Sequence, residues 1–187
     1  MNRRSALKQF AFVAGGITLL PSCDFSPDRI AVALDKLELD LEQQDLLARI
    51  CKVIIPSSEG NPGAETLDLY RFVLVMVDDC HPKDEQDIFT SGLKKFEAFA
   101  EEHLSASLNQ KGQTANEKLL ADLMQLEDVP QEAQSSLKDV QAFLAIAKRY
   151  TVQGYMSSQY FMTEKFPYKL VPGAYQACVS TDGLTVM

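Results

Sequence analysis

The stretch Asp40-Leu41-Glu42-Gln43-Gln44-Asp45-Leu46-Leu47-Ala48-Arg49-Ile50-Cys51-Lys52-Val53-Ile54-Ile55-Pro56 decides the fold class. Asp40 and Gln43, three positions apart, form a variant of the capping box, in which two side chains satisfy N–H groups left over at a helix start. Leu47, Ile50, Cys51 and Ile54 then recur at helical spacing until Pro56, which has no N–H to continue the ladder, stops the run. Ser57 to Pro62 is a loop of turn-formers. After it, Leu69, Phe72, Val73, Met76, Val77 and Cys80 follow one face of a second helix, and the run Phe72 to Val77 is apolar all round, which predicts a buried element.

Pro82 breaks that helix, and a third carries Phe89, Leu93, Phe96, Ala100 and His103 on one stripe. Leu104 to Gln113 reads as a polar connector. Thr114-Ala115-Asn116-Glu117 reads as a capping box opening a fourth helix through Leu119, Leu120 and Leu123. Pro130 is expected to start a long fifth helix, with Leu137, Val140, Leu144, Ala147 and Thr151 on one face and Phe143, Ile146 and Tyr150 beside it. No alternating strand pattern of useful length competes. The sequence predicts an all-α domain over residues 40–187, an irregular bundle of about five helices.

From Gly154 onward the texture changes to an aromatic-rich, mostly non-regular C-terminal tail, with Tyr155, Tyr160, Phe161, Phe166, Tyr168 and Tyr175 among Ser, Lys, Pro and Gly. Five of the six tyrosines lie after Arg149. Tyrosine buries area while keeping a polar tip, which suits an interface as well as a tail wrapped on its own core. The residues alone leave both readings open.

Upstream, residues 24–39 read as a tether and residues 1–23 as a targeting leader: a basic start, an apolar stretch from Phe10 to Leu20, then Leu20-Pro21-Ser22-Cys23. Asn2-Arg3-Arg4-Ser5-Ala6-Leu7-Lys8 matches a twin-arginine export motif at Arg3, Arg4, Leu7 and Lys8 and departs from it at Asn2 and Ala6. The alternative is an ordinary secretory leader with two arginines, against which Gly15-Gly16 weighs. Leu20 to Cys23 resembles a lipobox with Cys23 as the acylated new N-terminus, and acyl chains there would anchor the protein stably. Asp24 resembles an inner-membrane retention signal, so the expected location is the periplasmic face of the bacterial inner membrane. No later segment has the ~18 to 20 uninterrupted apolar residues of a membrane span.

The whole chain carries a formal charge of −8. Without Arg3, Arg4 and Lys8 of the leader, 15 basic residues face 26 acidic ones, a net −11. So acidic a protein has no footing on nucleic acid and is repelled by anionic lipid, so any membrane attachment comes from something other than a basic patch.

Motifs for chemistry are missing. There is no Cys-x-x-Cys-His for haem, no clustered cysteines for iron–sulfur ligation, and no dinucleotide, phosphate, nucleophile-elbow or zincin motif. No catalytic, cofactor-binding or metal-binding residue is assigned. The residues Asp78-Asp79-Cys80-His81 spread around a helix axis at about 100° each and do not converge on one metal. Cys80 is expected to face inward, with His81 offsetting the helix C-terminus, and His103 reads as a boundary histidine. With Cys23 acylated, three cysteines remain. Cys51 lies five residues before Pro56 and Cys80 seventeen after Gly63, so a helical hairpin holds them about 15 to 20 Å apart, beyond disulfide reach. Cys51 is expected to be a buried thiol, leaving Cys178 to pair with Cys80 or with a partner subunit, or to stay free.

Two stretches taken together, Ile50 to Pro56 with Asn61-Pro62-Gly63-Ala64, and Tyr150 to Ser158 with Val171-Pro172-Gly173-Ala174-Tyr175-Gln176-Ala177-Cys178, resemble the gluconate 2-dehydrogenase subunit 3 family. The resemblance runs from about Leu41 to Cys178 and neither motif is catalytic. It implies a non-catalytic subunit of a complex that also holds an FAD-dependent catalytic subunit and a cytochrome c subunit, so FAD and haem c are expected in the partners and no cofactor in this chain. It further implies that this chain's leader carries the folded flavoprotein through the twin-arginine translocase, and that Gly154, Tyr155, Ser158, Tyr168, Pro172, Gly173, Tyr175 and Cys178 lie where the chain packs on the catalytic subunit. The lipobox departs from the family pattern. The competing reading is an independent inner-membrane lipoprotein acting as a binding or scaffold module. The substrate and stoichiometry of such a complex are not legible in this chain.

Overall fold

The structure is a computed structural model that describes residues 32–108 and 112–166, and beyond them Tyr168, Val171, Gly173, Ala174 and Cys178. Among these residues five α-helices follow one another: α1 (Leu41–Ile54), α2 (Leu69–Cys80), α3 (Lys83–Leu104), α4 (Gln113–Gln125) and α5 (Gln134–Ser157), with a π-helical turn at Phe161–Lys165 after them. Among the described residues there is no strand, only an isolated bridge between Ser58 and Asn61. The all-α expectation holds.

α1 begins as its sequence dictates. Gln43 donates its N–H to Asp40 Oδ1 at 2.8 Å, and Asp40 donates its N–H to Gln43 Oε1 at 3.2 Å. Leu47, Ile50 and Cys51 are buried. In α2, Val73, Leu74 and Val77 are fully enclosed, but Val75 is 44% exposed, so the apolar run has one open side. α3 buries Phe89, Leu93, Phe96 and Ala100 as the stripe predicts, and His103 at its edge stacks on Phe99, ring centroids 4.3 Å apart.

α5 is the hub, packing on each of the other four helices and on the π-helical turn. Its buried face is Leu137, Val140, Phe143, Leu144, Ala147, Tyr150, Thr151 and Gly154. The tightest crossing is at Gly92 of α3, where any Cβ would overlap the backbone oxygen of Asp139 and stand 2.5 Å from Phe143 Cβ. Phe143 packs edge-to-face on Phe89 and Phe96 at 5.1 and 6.3 Å, an arrangement that uses the ring quadrupoles as well as the buried area.

Three local expectations are corrected. α4 starts one residue before Thr114, with Gly112 at its cap and no capping side chain; Gln113 instead donates to Glu117 Oε1 at 2.7 Å and to Val53 O at 3.0 Å, so the glutamate is engaged elsewhere. Pro130 opens a turn rather than α5, its carbonyl accepting from Ala133 N–H at 2.8 Å, and the helix begins at Gln134. The described half of the expected tether, residues 32–39, is docked: Leu37 is buried, and Val32, Leu34 and Leu39 pack on the core.

Candidate partner interface

α5 does not end where the composition changes. It runs through Gly154 to Ser157, because Gly154 is the contact with α2: a Cβ there would lie 2.8 Å from Phe72 Cδ1 and 3.5 Å from Leu69 Cδ2. Gly154 is therefore used in internal packing. Ser158 then turns the chain. Its hydroxyl donates to Tyr155 O at 2.7 Å and accepts the Phe161 N–H at 3.2 Å. Tyr160 donates its hydroxyl to Asn61 Oδ1 at 2.9 Å, tying the π-helical turn to the loop between α1 and α2. The half-buried Tyr155 ring lies 6.4 Å from Tyr160 and 5.6 Å from Phe161.

This part of the tail wraps its own bundle. Beyond it, among the described residues, the large apolar side chains are open: Phe166 is 53% exposed, Tyr168 51% and Val171 81%, with Met156 of α5 at 53%. Gly173 and Cys178 are exposed. The structure thus divides the eight expected interface residues. Gly154, Tyr155 and Ser158 serve the fold, Tyr168, Gly173 and Cys178 are open, and Pro172 and Tyr175 lie outside the described residues. Arg3, Arg4, Leu7, Lys8 and Cys23 also lie outside them.

At the far end of α2 the expected orientations are reversed. Cys80 is exposed, while His81 is buried, its Nε2 2.7 Å from the Tyr150 hydroxyl and its Nδ1 2.6 Å from Glu85 Oε2. The reason is that His81 has left the helix, with φ −94° and ψ 145°, so the 100° step that would have aimed it outward no longer applies. Just before it, the buried Asp78 accepts three backbone N–H groups from residues 35–37 at 2.8 to 2.9 Å. Burial pushes the Asp78 carboxyl up, but these donors and the Lys36 ammonium outweigh it and hold it below the ordinary aspartate range. Nothing in the local pattern of α2 announces this cluster, apart from an acid following an apolar run.

Cys51 is buried as expected, and desolvation pushes its thiol up to about 11 despite the Thr151 hydroxyl 3.2 Å from its sulfur. Cys80 and Cys178 are free exposed thiols; of the three alternatives for Cys178, the pair with Cys80 is not formed here. A cavity of about 550 Å³ opens between α1, the start of α4 and the α1–α2 connection. Its cations are already matched, Arg49 by Asp45 and Glu97 at 3.4 and 3.3 Å and Lys52 by Glu65 at 2.6 Å. Among the described residues no cluster of three or more histidines, cysteines and acids has metal-ligand geometry, and no helix is long and apolar enough to cross a membrane.

The model of one protein family, described as gluconate 2-dehydrogenase subunit 3, matches residues 41–173, which takes in all five helices and the tail as far as Gly173. The chain belongs to the gluconate 2-dehydrogenase subunit 3 family. As a member of that family it is an accessory subunit of a gluconate 2-dehydrogenase-type complex. The match begins at Leu41, the first residue of α1, so the subunit 3 signature is the bundle itself and excludes the docked segment 32–39. No curated protein and no solved structure matches the chain.

Proposed function

We propose that this chain is the non-catalytic subunit that supplies the export signal for, and assembles with, an FAD-dependent sugar or alcohol dehydrogenase subunit, alongside a cytochrome c subunit, at the periplasmic face of the inner membrane. Membership of the subunit 3 family over residues 41–173 carries the reading. The leader supports it: Arg3-Arg4 with Leu7 and Lys8 suit the twin-arginine route, which moves folded passengers, and a flavoprotein acquires FAD before it crosses. A small helical protein gains little from that route alone. Acylation of Cys23 would tether the exported complex, since the acidic domain has no basic patch for anionic lipid.

In this reading the partner sits on the open apolar residues after the π-helical turn, Phe166, Tyr168 and Val171, with Met156 and the exposed Cys178. Exposed aromatics of this kind bury area at low entropic cost, and Cys178 is free to cross-link to a partner thiol in an oxidising compartment. The chain itself moves no electrons or protons. It holds, carries and tethers.

The deciding experiment changes Arg3 and Arg4 to Lys, or deletes the chain, and assays dehydrogenase activity and bound flavin in periplasmic and cytoplasmic fractions. The expected outcome is flavoprotein stranded in the cytoplasm. Normal export of the flavoprotein in both strains overturns the proposal.

A further inference from the structure

Residues 32–39 are held on the bundle by side chains from two helices. Gln44 of α1 accepts the Val32 N–H at 2.9 Å and reaches the carbonyls of Val32 and Leu39 at 3.4 and 3.3 Å with its amide nitrogen. Asp78 of α2 takes the N–H groups of Asp35, Lys36 and Leu37 at 2.9, 2.9 and 2.8 Å, and Lys36 Nζ lies 3.4 Å from Asp79 O. Leu37 enters the core between these grips.

The second grip sits on a helix end that other helices hold. The last turn of α2 is clasped by one amide from α3: Gln86 Nε2 donates to the carbonyls of Val77, Asp78 and His81 at 3.2, 2.9 and 3.0 Å. His81 is pinned in turn by Glu85 of α3 and Tyr150 of α5. The Asp78 carboxylate therefore stands where residues 35–37 need it when α2, α3 and α5 have packed, and Gln44 stands where Val32 needs it when α1 has formed. Conversely, a carboxylate this enclosed without its three donors would be a buried charge lacking partners, which is costly, so strap and bundle stabilise each other reciprocally.

We propose that residues 32–39 form a strap that reads completion of the bundle, docking only on assembled α1, α2, α3 and α5. The segment joining residues 1–31 to the domain is then fixed in a folded subunit and loose in an unfolded one. The use of such a device rests on the export reading: on a route for folded passengers, it shortens the free chain beside the leader only when the subunit is ready to travel.

Hydrogen exchange on the full chain tests it. In Asp78→Ala the amides of Asp35, Lys36 and Leu37 are expected to exchange at least about tenfold faster while α3 and α5 amides keep their protection. Lys36→Pro, which removes one donated N–H without altering a helix, is expected to do the same at Asp35 and Leu37 and supplies the reading if Asp78→Ala loses its helical signal. Tyr150→Phe touches no strap residue, and is expected to speed strap exchange severalfold by freeing the end of α2. Unchanged exchange of residues 35–37 in Asp78→Ala and Lys36→Pro overturns the clamp. Strap rates equal to wild type in Tyr150→Phe overturn the coupling to α5. None of these measurements involves a translocase, so they fail or succeed apart from the export reading.

Discussion

The His81 ring and the Tyr150 hydroxyl meet at 2.7 Å, joining the cap of α2 to the hub helix across 69 positions of sequence. Arg149 donates to the same hydroxyl oxygen at 2.7 Å, and on the other side of the ring His81 Nδ1 lies 2.6 Å from Glu85 Oε2. Removing the hydroxyl orphans a buried ring nitrogen. Tyr150→Phe is expected to cost about 1 to 3 kcal/mol, read as a lower urea midpoint at unchanged slope. A midpoint equal to wild type would show that the pair contributes nothing.

The two glycines at helix crossings, Gly92 and Gly154, are expected to differ in kind. At Gly92 the obstacle is the Asp139 backbone, which cannot yield without moving α5. At Gly154 it is the edge of the Phe72 ring, which can rotate. Both changes to Ala gain about 1 kcal/mol of helix propensity. Gly92→Ala is nevertheless expected to be destabilising by about 2 kcal/mol or more from overpacking, and Gly154→Ala by clearly less. Thermal melts of the two variants side by side check the order.

The three described cysteines are expected to separate by reactivity. Cys80 and Cys178 are exposed, while Cys51 is buried with its thiol pushed up to about 11, so little thiolate forms there at neutral pH. Iodoacetamide on the native protein, followed by peptide mass spectrometry, should modify Cys80 and Cys178 first and reach Cys51 only in denaturant. Rapid native modification of Cys51 would mean that α1 and α5 part readily.

Acid should loosen the protein through Asp78 and Asp139. Burial raises each carboxyl, but the three backbone donors with Lys36 at Asp78, and Lys95 at 2.7 Å with Ser91 at 2.8 Å at Asp139, bring both below the ordinary range. Such groups stabilise the fold above the unfolded value of about 3.9, and that contribution disappears as pH falls through the lower folded value. Wild-type stability is expected to be flat from these groups near neutrality and to drop below about pH 4. Asp78→Asn should be less stable at pH 7 and should lose less over the acid window, as urea titrations at several pH values will show.

Much of this architecture was legible along the chain. The Asp40–Gln43 box, the stop before Pro56, and the stripes of α2, α3 and α5 arise from contacts within one or two turns, so sequence spacing carries them. Reading failed where a distant partner overrides a local preference. The change of texture at Gly154 read as the start of a mostly non-regular tail, yet α5 continues to Ser157, and the glycine is there because Phe72 leaves no room for a side chain. Cys80 and His81 exchanged their expected positions because the helix ends between them. Segment 32–39, weakly patterned although Val32, Ala33, Leu34, Leu37 and Leu39 are apolar, looked like a spacer and is docked by Gln44 and Asp78.

By itself, the sequence determined the all-α class of the described domain and the likeness that the family match over residues 41–173 upholds. Caps, helical periods and motifs are properties of neighbours, and neighbours are written in order. Tertiary structure alone decided that Asp78 is a grip instead of a surface acid and which aromatics of the tail remain open. Those outcomes depend on groups 43 and 99 positions apart reaching hydrogen-bond distance, and no local preference encodes a meeting of that kind.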